Sequence, residues 1–353
     1  MLQRQSKPFA RRPGASPRRT GRGLRLRAFF CACVAGVSLG SPALAKPAFT
    51  TFTVPGSFET FPYSIANGMI AGQFETPDRV SHGFVRATDG AITKFDPPES
   101  ESTFAFGINA AGTISGDYIG SDGRSHGFLR TGGGTITSFD PSGSVQTYGA
   151  GINDKGVMAG SWMDSNTIVH GYVRAAGGAI TSFDVSGAAS TYGGAMNAKG
   201  TLTGSYVTGS GAVHGYLRAS GGTITTFDIA GANYVGVGGM NDKDSVTGFY
   251  TDSENISHGY LRAADGTVTT FDPAGSAHTE PAAIDDRGEI TGWFEDHSRV
   301  LHAFLRQPGG KITEFEVPGG SNTAAESIDN SPADKGAVTG YYGGTPQGFL
   351  RTP

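Results

Sequence analysis

The sequence predicts an all-β fold: a seven-bladed β-propeller with four antiparallel strands per blade, its ring closed by an N-terminal strand that completes the last blade. Three observations predict it. The tripeptide His82-Gly83-Phe84 returns at His126, His170, His214, His258 and His302, each 44 residues after the last, and Gln347-Gly348-Phe349 follows 45 residues later. Self-similarity at this period marks a repeat architecture. Each copy divides into four short β-branched or aromatic pieces bounded by Gly, Asn, Asp or Ser, and no segment keeps a helical period. Finally, the two ends complement each other. Residues 48–53 align with the fourth strand of the other copies, which the seventh copy lacks. A β-helix, whose coils need far fewer residues than 44, is the weaker alternative.

The third copy shows each element in order. Residues 135–140 (Thr-Ile-Thr-Ser-Phe-Asp) give a strand d, and 148–153 (Tyr-Gly-Ala-Gly-Ile-Asn) a strand a whose small residues suit the crowded inner edge of a blade. Asn153-Asp154-Lys155-Gly156 is a hairpin turn, with Asn opening it and Gly supplying positive φ. Strand b (156–162) carries a glycine that recurs at 72, 116, 160, 204, 248, 292 and 340, where a neighbour is expected to approach closely. Strand c (169–174) holds the tripeptide, and a tight turn at 175–178 leads to the next strand d. A four-residue c–d turn would pair Val85 with Ile92 and set His82 and Phe84 on the face of Phe95; a slip of one residue exchanges the faces.

The His-Ala-Phe at 302–304, the His-Gly-Phe or His-Gly-Tyr elsewhere, and the Gly-Ile-Asn-x-x-Gly at 107–112 and 151–156 resemble the HAF-repeat family of exported bacterial proteins. The resemblance spans essentially everything after residue 45. It departs in having Gly where the name expects Ala, and Phe-Asp where the family often has Leu-Gly. It implies an extracellular or periplasmic repeat protein and carries no established enzymatic activity. The period is also that of WD repeats, but Trp-Asp is absent and His-Gly runs opposite to Gly-His.

Residues 1–45 read as a signal peptide. Eight arginines and Lys7 precede residue 28 with no acidic residue among them, an apolar run covers 29–40, and Ala43-Leu44-Ala45 supplies a cleavage site after Ala45. Both cysteines, Cys31 and Cys33, fall within it, so the propeller domain, 46–353, is expected to stand on core burial without disulfides. Removing nine of the 27 basic residues and none of the 31 acidic ones leaves 18 against 31, a balance of −13. That excess argues against nucleic acid and anionic membrane as partners. No apolar stretch after residue 45 reaches membrane length. A secreted or periplasmic monomer is expected.

Residues repeated in every copy read as architecture. The tripeptide histidines lie near Asp96, Asp140, Asp184, Asp228 and Asp272, and a repeated His–Asp hydrogen bond satisfies both groups better than a metal ring. Arg86, Arg130, Arg174, Arg218, Arg262, Arg306 and Arg351 read as struts that pack their stems and pair their guanidinium groups. The Asp-bearing turns lack the alternating oxygen ligands of a calcium loop, and no Gly-x-Ser-x-Gly is present.

Function is sought where the copies disagree: the d–a and b–c loops, which share one face. In the sixth copy His278 and Glu280 enter from the d–a side and Glu295, Asp296 and His297 from the b–c side, with Trp293 close by. This set could hold a divalent cation or do acid–base work; the competing reading is a solvated acidic loop. Tyr234 could stack on a sugar ring or serve the core. No catalytic motif and no cofactor site is identifiable. The preferred expectation is an exported propeller binding an extracellular ligand, a glycan, protein or envelope component. The alternatives are a propeller enzyme (lyase, lactonase or hydrolase) acting near the sixth blade and a structural envelope protein.

Overall fold

The computed structural model describes residues 46–331 and 336–353, which belong to one compact unit beginning at Ala45. The expected signal peptide, residues 1–45, and both cysteines lie outside the described residues. The described chain is all-β: short antiparallel meanders with no helix among them. The first comprises Glu59–Ala66 (a), Met69–Glu75 (b), Ser81–Arg86 (c) and Ile92–Phe95 (d), hydrogen-bonded in that order. The same a–b–c–d order repeats in every copy through Ile312–Phe315. Five sheets have four strands; a sixth has eight, two such meanders joined by the single parallel bridge Val213↔Tyr234.

The last copy has three strands of its own, Ala324–Ile328, Val338–Tyr342 and Gln347–Thr352. The fourth is Ala48–Phe52, which pairs antiparallel with the last strand in the register Ala48↔Thr352 to Phe52↔Gly348. Further contacts tie the first copy to the last. Ile65 N donates to Ser327 Oγ (3.3 Å), Gly68 N to Asp329 Oδ2 (2.8 Å), and Phe61 meets Tyr341 edge-on at 5.3 Å.

The third residue of the tripeptide forms the core. Phe84, Phe128, Tyr172, Tyr216, Tyr260, Phe304 and Phe349 are fully buried, and burying a ring of this size is worth about 2–3 kcal/mol. The preceding glycine has a specific cause. In the first copy Phe95 of strand d lies over Gly83, where an added Cβ would sit 2.5 Å from the ring.

The c–d register differs from the expected one: Val85 pairs with Thr93, Arg86 with Ile92 and Gly83 with Phe95. The turn holds five residues, closed by Ala87 N to Ala91 O, and Gly90 takes φ +92° within it. A left-handed glycine accommodates the extra residue and shifts the pairing by one. The arginine struts also differ. The guanidinium groups of Arg86, Arg130, Arg174, Arg218, Arg262, Arg306 and Arg351 lie over the strand-d phenylalanine of the preceding copy, 4.7–5.1 Å from the ring centre. The expected pairing gives way to cation–π contact because the neighbour presents a ring face there. For Arg86 the ring is Phe52, supplied by the N-terminal strand.

The His–acid pairing holds in six copies. Nδ1 of His82, His126, His170 and His258 meets Asp96, Asp140, Asp184 and Asp272 at 2.8–2.9 Å, His214 pairs with Asp228, and His302 with Glu316. The carboxylate also reaches the next copy: Thr103 Oγ1 donates to Asp96 (2.6 Å) and Thr147 Oγ1 to Asp140 (2.5 Å). In the seventh copy Gln347 stands for His and Thr53 for Asp, so both partners change together.

At the opposite edge, the Asn of the a–b turn in the second to fifth copies bonds in two directions. Asn153 Oδ1 accepts from Lys155 N and Val157 N, both 3.1 Å, holding its own turn, while Nδ2 donates to Asn197 O of the next copy (3.1 Å). The link recurs from Asn109 to Asn153, Asn197 to Asn241 and Asn241 to Asp285.

Removing residues 46–56 strips the last sheet of its fourth strand and Arg86 of its ring, so the thermal midpoint should fall; an unchanged midpoint would contradict this role. Asn197 is buried and holds both its own turn and its neighbour. Asn197→Ala should therefore lose about 1–3 kcal/mol in urea unfolding, and a loss no larger than that of an exposed substitution would disprove the link.

Candidate ligand-binding site

Strand a of each copy lines a central cavity of about 820 Å³, bordered by small residues such as Ser64, Gly107, Gly151, Gly194, Gly239 and Ser327. Small side chains are needed because backbones of successive copies converge there. An added Cβ at Gly149 would sit 2.4 Å from Gly116 O of the preceding copy.

One cross-strand position lies one or two residues before the cavity-lining stretch of strand a in each copy. The residue after the strand-b glycine pairs with one on strand a, giving Phe61↔Gln73, Phe104↔Asp117, Tyr148↔Ser161, Tyr192↔Ser205, Gly236↔Phe249, Glu280↔Trp293 and Ala324↔Tyr341. Every pair holds one aromatic ring. The first four copies place it on strand a and the last three on strand b. Tyr63, Phe106 and Tyr234 extend the series. Neighbouring rings meet: Phe61–Tyr63 at 6.3 Å, Tyr63–Phe106 at 6.0 Å and Tyr234–Phe249 at 5.6 Å. Phe106, Tyr148, Tyr192 and Tyr234 nonetheless remain 37–43 % exposed. Rings fixed on strands yet open to solvent offer faces on which a flat apolar group could stack.

A second cavity of about 330 Å³ shares Tyr63, Phe106 and Glu326 with the first and adds Phe249, Glu280 and Trp293. Burial and the neighbouring Glu280 charge push the Glu326 carboxyl up to about 7. Burial also raises Glu280, and it raises the Tyr63 and Tyr341 hydroxyls, with Glu326 adding to both. Asp117 is likewise pushed up to about 7 by burial, against hydrogen bonds from Gly149 N and Ser125 Oγ.

The five residues expected at the sixth copy occupy different surroundings. Only Glu280 lines the cavity. His278 Nδ1 accepts from Ser257 N (3.2 Å), just as Gln146, Ser190 and Asn322 accept from the preceding copy at the same place. Asp296 Oδ1 takes Ser298 N and Val300 N within its own b–c turn. Glu295 pairs across the strands with His278, and His297 is exposed in the turn. Among the described residues, the His, Asp and Glu group whose donor atoms lie close enough to share an ion is His302, Glu314 and Glu316. It is the repeated His–acid pair with one extra glutamate.

No protein-family model matches the chain, and no curated protein does. Solved structures resemble it in fold. A prolyl endopeptidase aligns with TM-score 0.58 and 12% identity over 81% of this chain and 47% of that one. TolB from Acinetobacter baumannii aligns at 0.50 and 14%, covering 70% of this chain and 63% of that one. The Aleuria aurantia lectin, described as a six-bladed β-propeller with a novel fucose recognition mode, aligns at 0.46 and 14%, covering 76% and 97%. At such identities the likeness is one of fold alone, an all-β chain of four-stranded sheets.

Glu326 makes stability depend on pH. The folded chain holds its proton up to about pH 7, whereas an unfolded glutamate releases it near about pH 4.3. The native state therefore binds more protons in that window, and its stability falls as pH rises through it. Glu326→Gln should raise the urea midpoint relative to the parent more at pH 8 than at pH 5; a margin independent of pH would refute the assignment.

Proposed function

We propose that this chain is a carbohydrate-binding propeller that receives its ligand on the aromatic belt at the channel mouth. The carrying observation is that every copy contributes a ring at one cross-strand position, while Phe106, Tyr148, Tyr192 and Tyr234 stay exposed. Sugar rings present apolar C–H faces that stack on aromatic side chains, and their hydroxyls need fixed acceptors and donors alongside. Glu280, Glu326 and the tyrosine hydroxyls provide these. The copies form seven blades of a ring, closed where residues 48–52 complete the last sheet; the contacts between first and last copies support this. The basic and apolar leader supports export, and the tripeptide and Asn-turn motifs support HAF-repeat kinship.

A glycan array probed with the purified protein, with and without chelator, should give saturable binding without turnover. Tyr148→Ala and Tyr192→Ala should each weaken the best hit about tenfold, or ~1.4 kcal/mol, with unchanged thermal midpoints. Binding indifferent to both substitutions would overturn the reading.

A second reading, a glycan-cleaving enzyme, is favoured by two carboxyl groups in one aromatic cavity, one of them titrating near neutrality. It predicts shortened products from a bound oligosaccharide and their loss in Glu326→Gln.

A further inference from the structure

The smaller cavity gathers two carboxyl groups without a matching cation. Glu280 and Glu326 both line it, and its lining contains no Lys, Arg or His. The strand-end carboxylates Asp96, Asp140, Asp184, Asp228 and Asp272 each bond a histidine, and buried Asp117 bonds Ser125 and Gly149. For Glu280 and Glu326, no donor among the described residues plays that part. Two carboxyl groups of like charge are thus held close together in partly dry surroundings, which is costly unless one is protonated or a cation sits between them.

The other walls include four aromatic residues, Tyr63, Phe106, Phe249 and Trp293. Aromatic faces attract ammonium groups, all the more when water is excluded. They suit a hard metal ion poorly, since calcium requires six to eight oxygen ligands and two carboxylates supply at most four. A protonated amine, by contrast, needs one or two carboxylate acceptors and gains from every ring around it.

We infer that this cavity selects a cationic group, the protonated amine of an amino sugar, seated between Glu280 and Glu326 against the faces of Tyr63, Phe106 and Trp293. This deepens the carbohydrate-binding reading and rests on it, because it names the class of sugar. The neutral part of the ligand would lie on the exposed rings of the belt, with the amine reaching the cavity. An ammonium group seated between the two carboxyl groups favours the charged form of both. Occupation therefore releases the proton that Glu326 holds near neutrality, and affinity for a cation rises with pH across that point.

The test compares a glucosamine tetramer with its N-acetylated counterpart by titration calorimetry and by the fluorescence of the protein's tryptophans. The free-amine form should bind at least tenfold more tightly. Glu280→Gln and Glu326→Gln should each erase most of that preference, weakening the free-amine form far more than the N-acetyl form. A permanently charged trimethylammonium sugar, which needs no variant, should bind more tightly at pH 8 than at pH 6. Equal affinity for amine and acetylated forms, a preference surviving both variants, or displacement of the amine by micromolar calcium would overturn the inference while leaving carbohydrate binding intact. If neither tetramer binds and the array is blank, the carbohydrate reading itself fails.

Discussion

The phenylalanine–acid step that ends strand d in six of the seven copies is the coupling on which the rest of the molecule depends. Its ring covers the tripeptide glycine of its own copy and lies under the arginine of the next. In copies such as the first and second, its carboxylate bonds its own histidine and the threonine of the following strand a. Two adjacent residues thus fix the spacing between sheets on both the apolar and the polar side. The asparagine turns do the same at the opposite edge. A sheet held at both ends against its neighbour has little freedom to tilt, and this suits the inner strands to carry a ligand surface at fixed geometry.

Much of this was legible in the sequence because repetition exposes it. The period, the four strands, the Asn-x-x-Gly turn and the His–acid bond could all be read from columns that agree between copies. The c–d register could not, since it depends on the conformation of one glycine: Gly90 at φ +92° adds a residue to the turn and moves every partner by one place. The arginine contacts were half legible. Stem packing followed from repetition, but the ring beneath each guanidinium belongs to the preceding copy, a relation that is spatial before it is sequential.

The aromatic belt stayed hidden for a related reason. Its ring moves from strand a to strand b after the fourth copy, so no single aligned column is aromatic throughout. Only the cross-strand pairing makes Tyr192↔Ser205 and Gly236↔Phe249 equivalent. Tyr234 and Trp293 gave a partial signal, and Glu280 a misleading one. Glu280 lies two residues beyond His278, about 7 Å along a strand, and that distance separates an imidazole that accepts from a neighbouring backbone N–H from a carboxyl group inside the cavity. Proximity in sequence grouped them; depth along the channel divides them.

The chain therefore combines a largely repeated frame, in which most copies use the same few contacts, with an inner surface where identity changes from copy to copy. Binding at that surface is the central claim. Its most direct test is a crystal structure of the protein with the best glycan from the array. The account predicts a sugar ring stacked on Tyr148, Tyr192 or Tyr234 at the channel mouth, with polar atoms toward Glu280 and Glu326. Density confined to the outer rim around His278 and His297, with the belt empty, would contradict it.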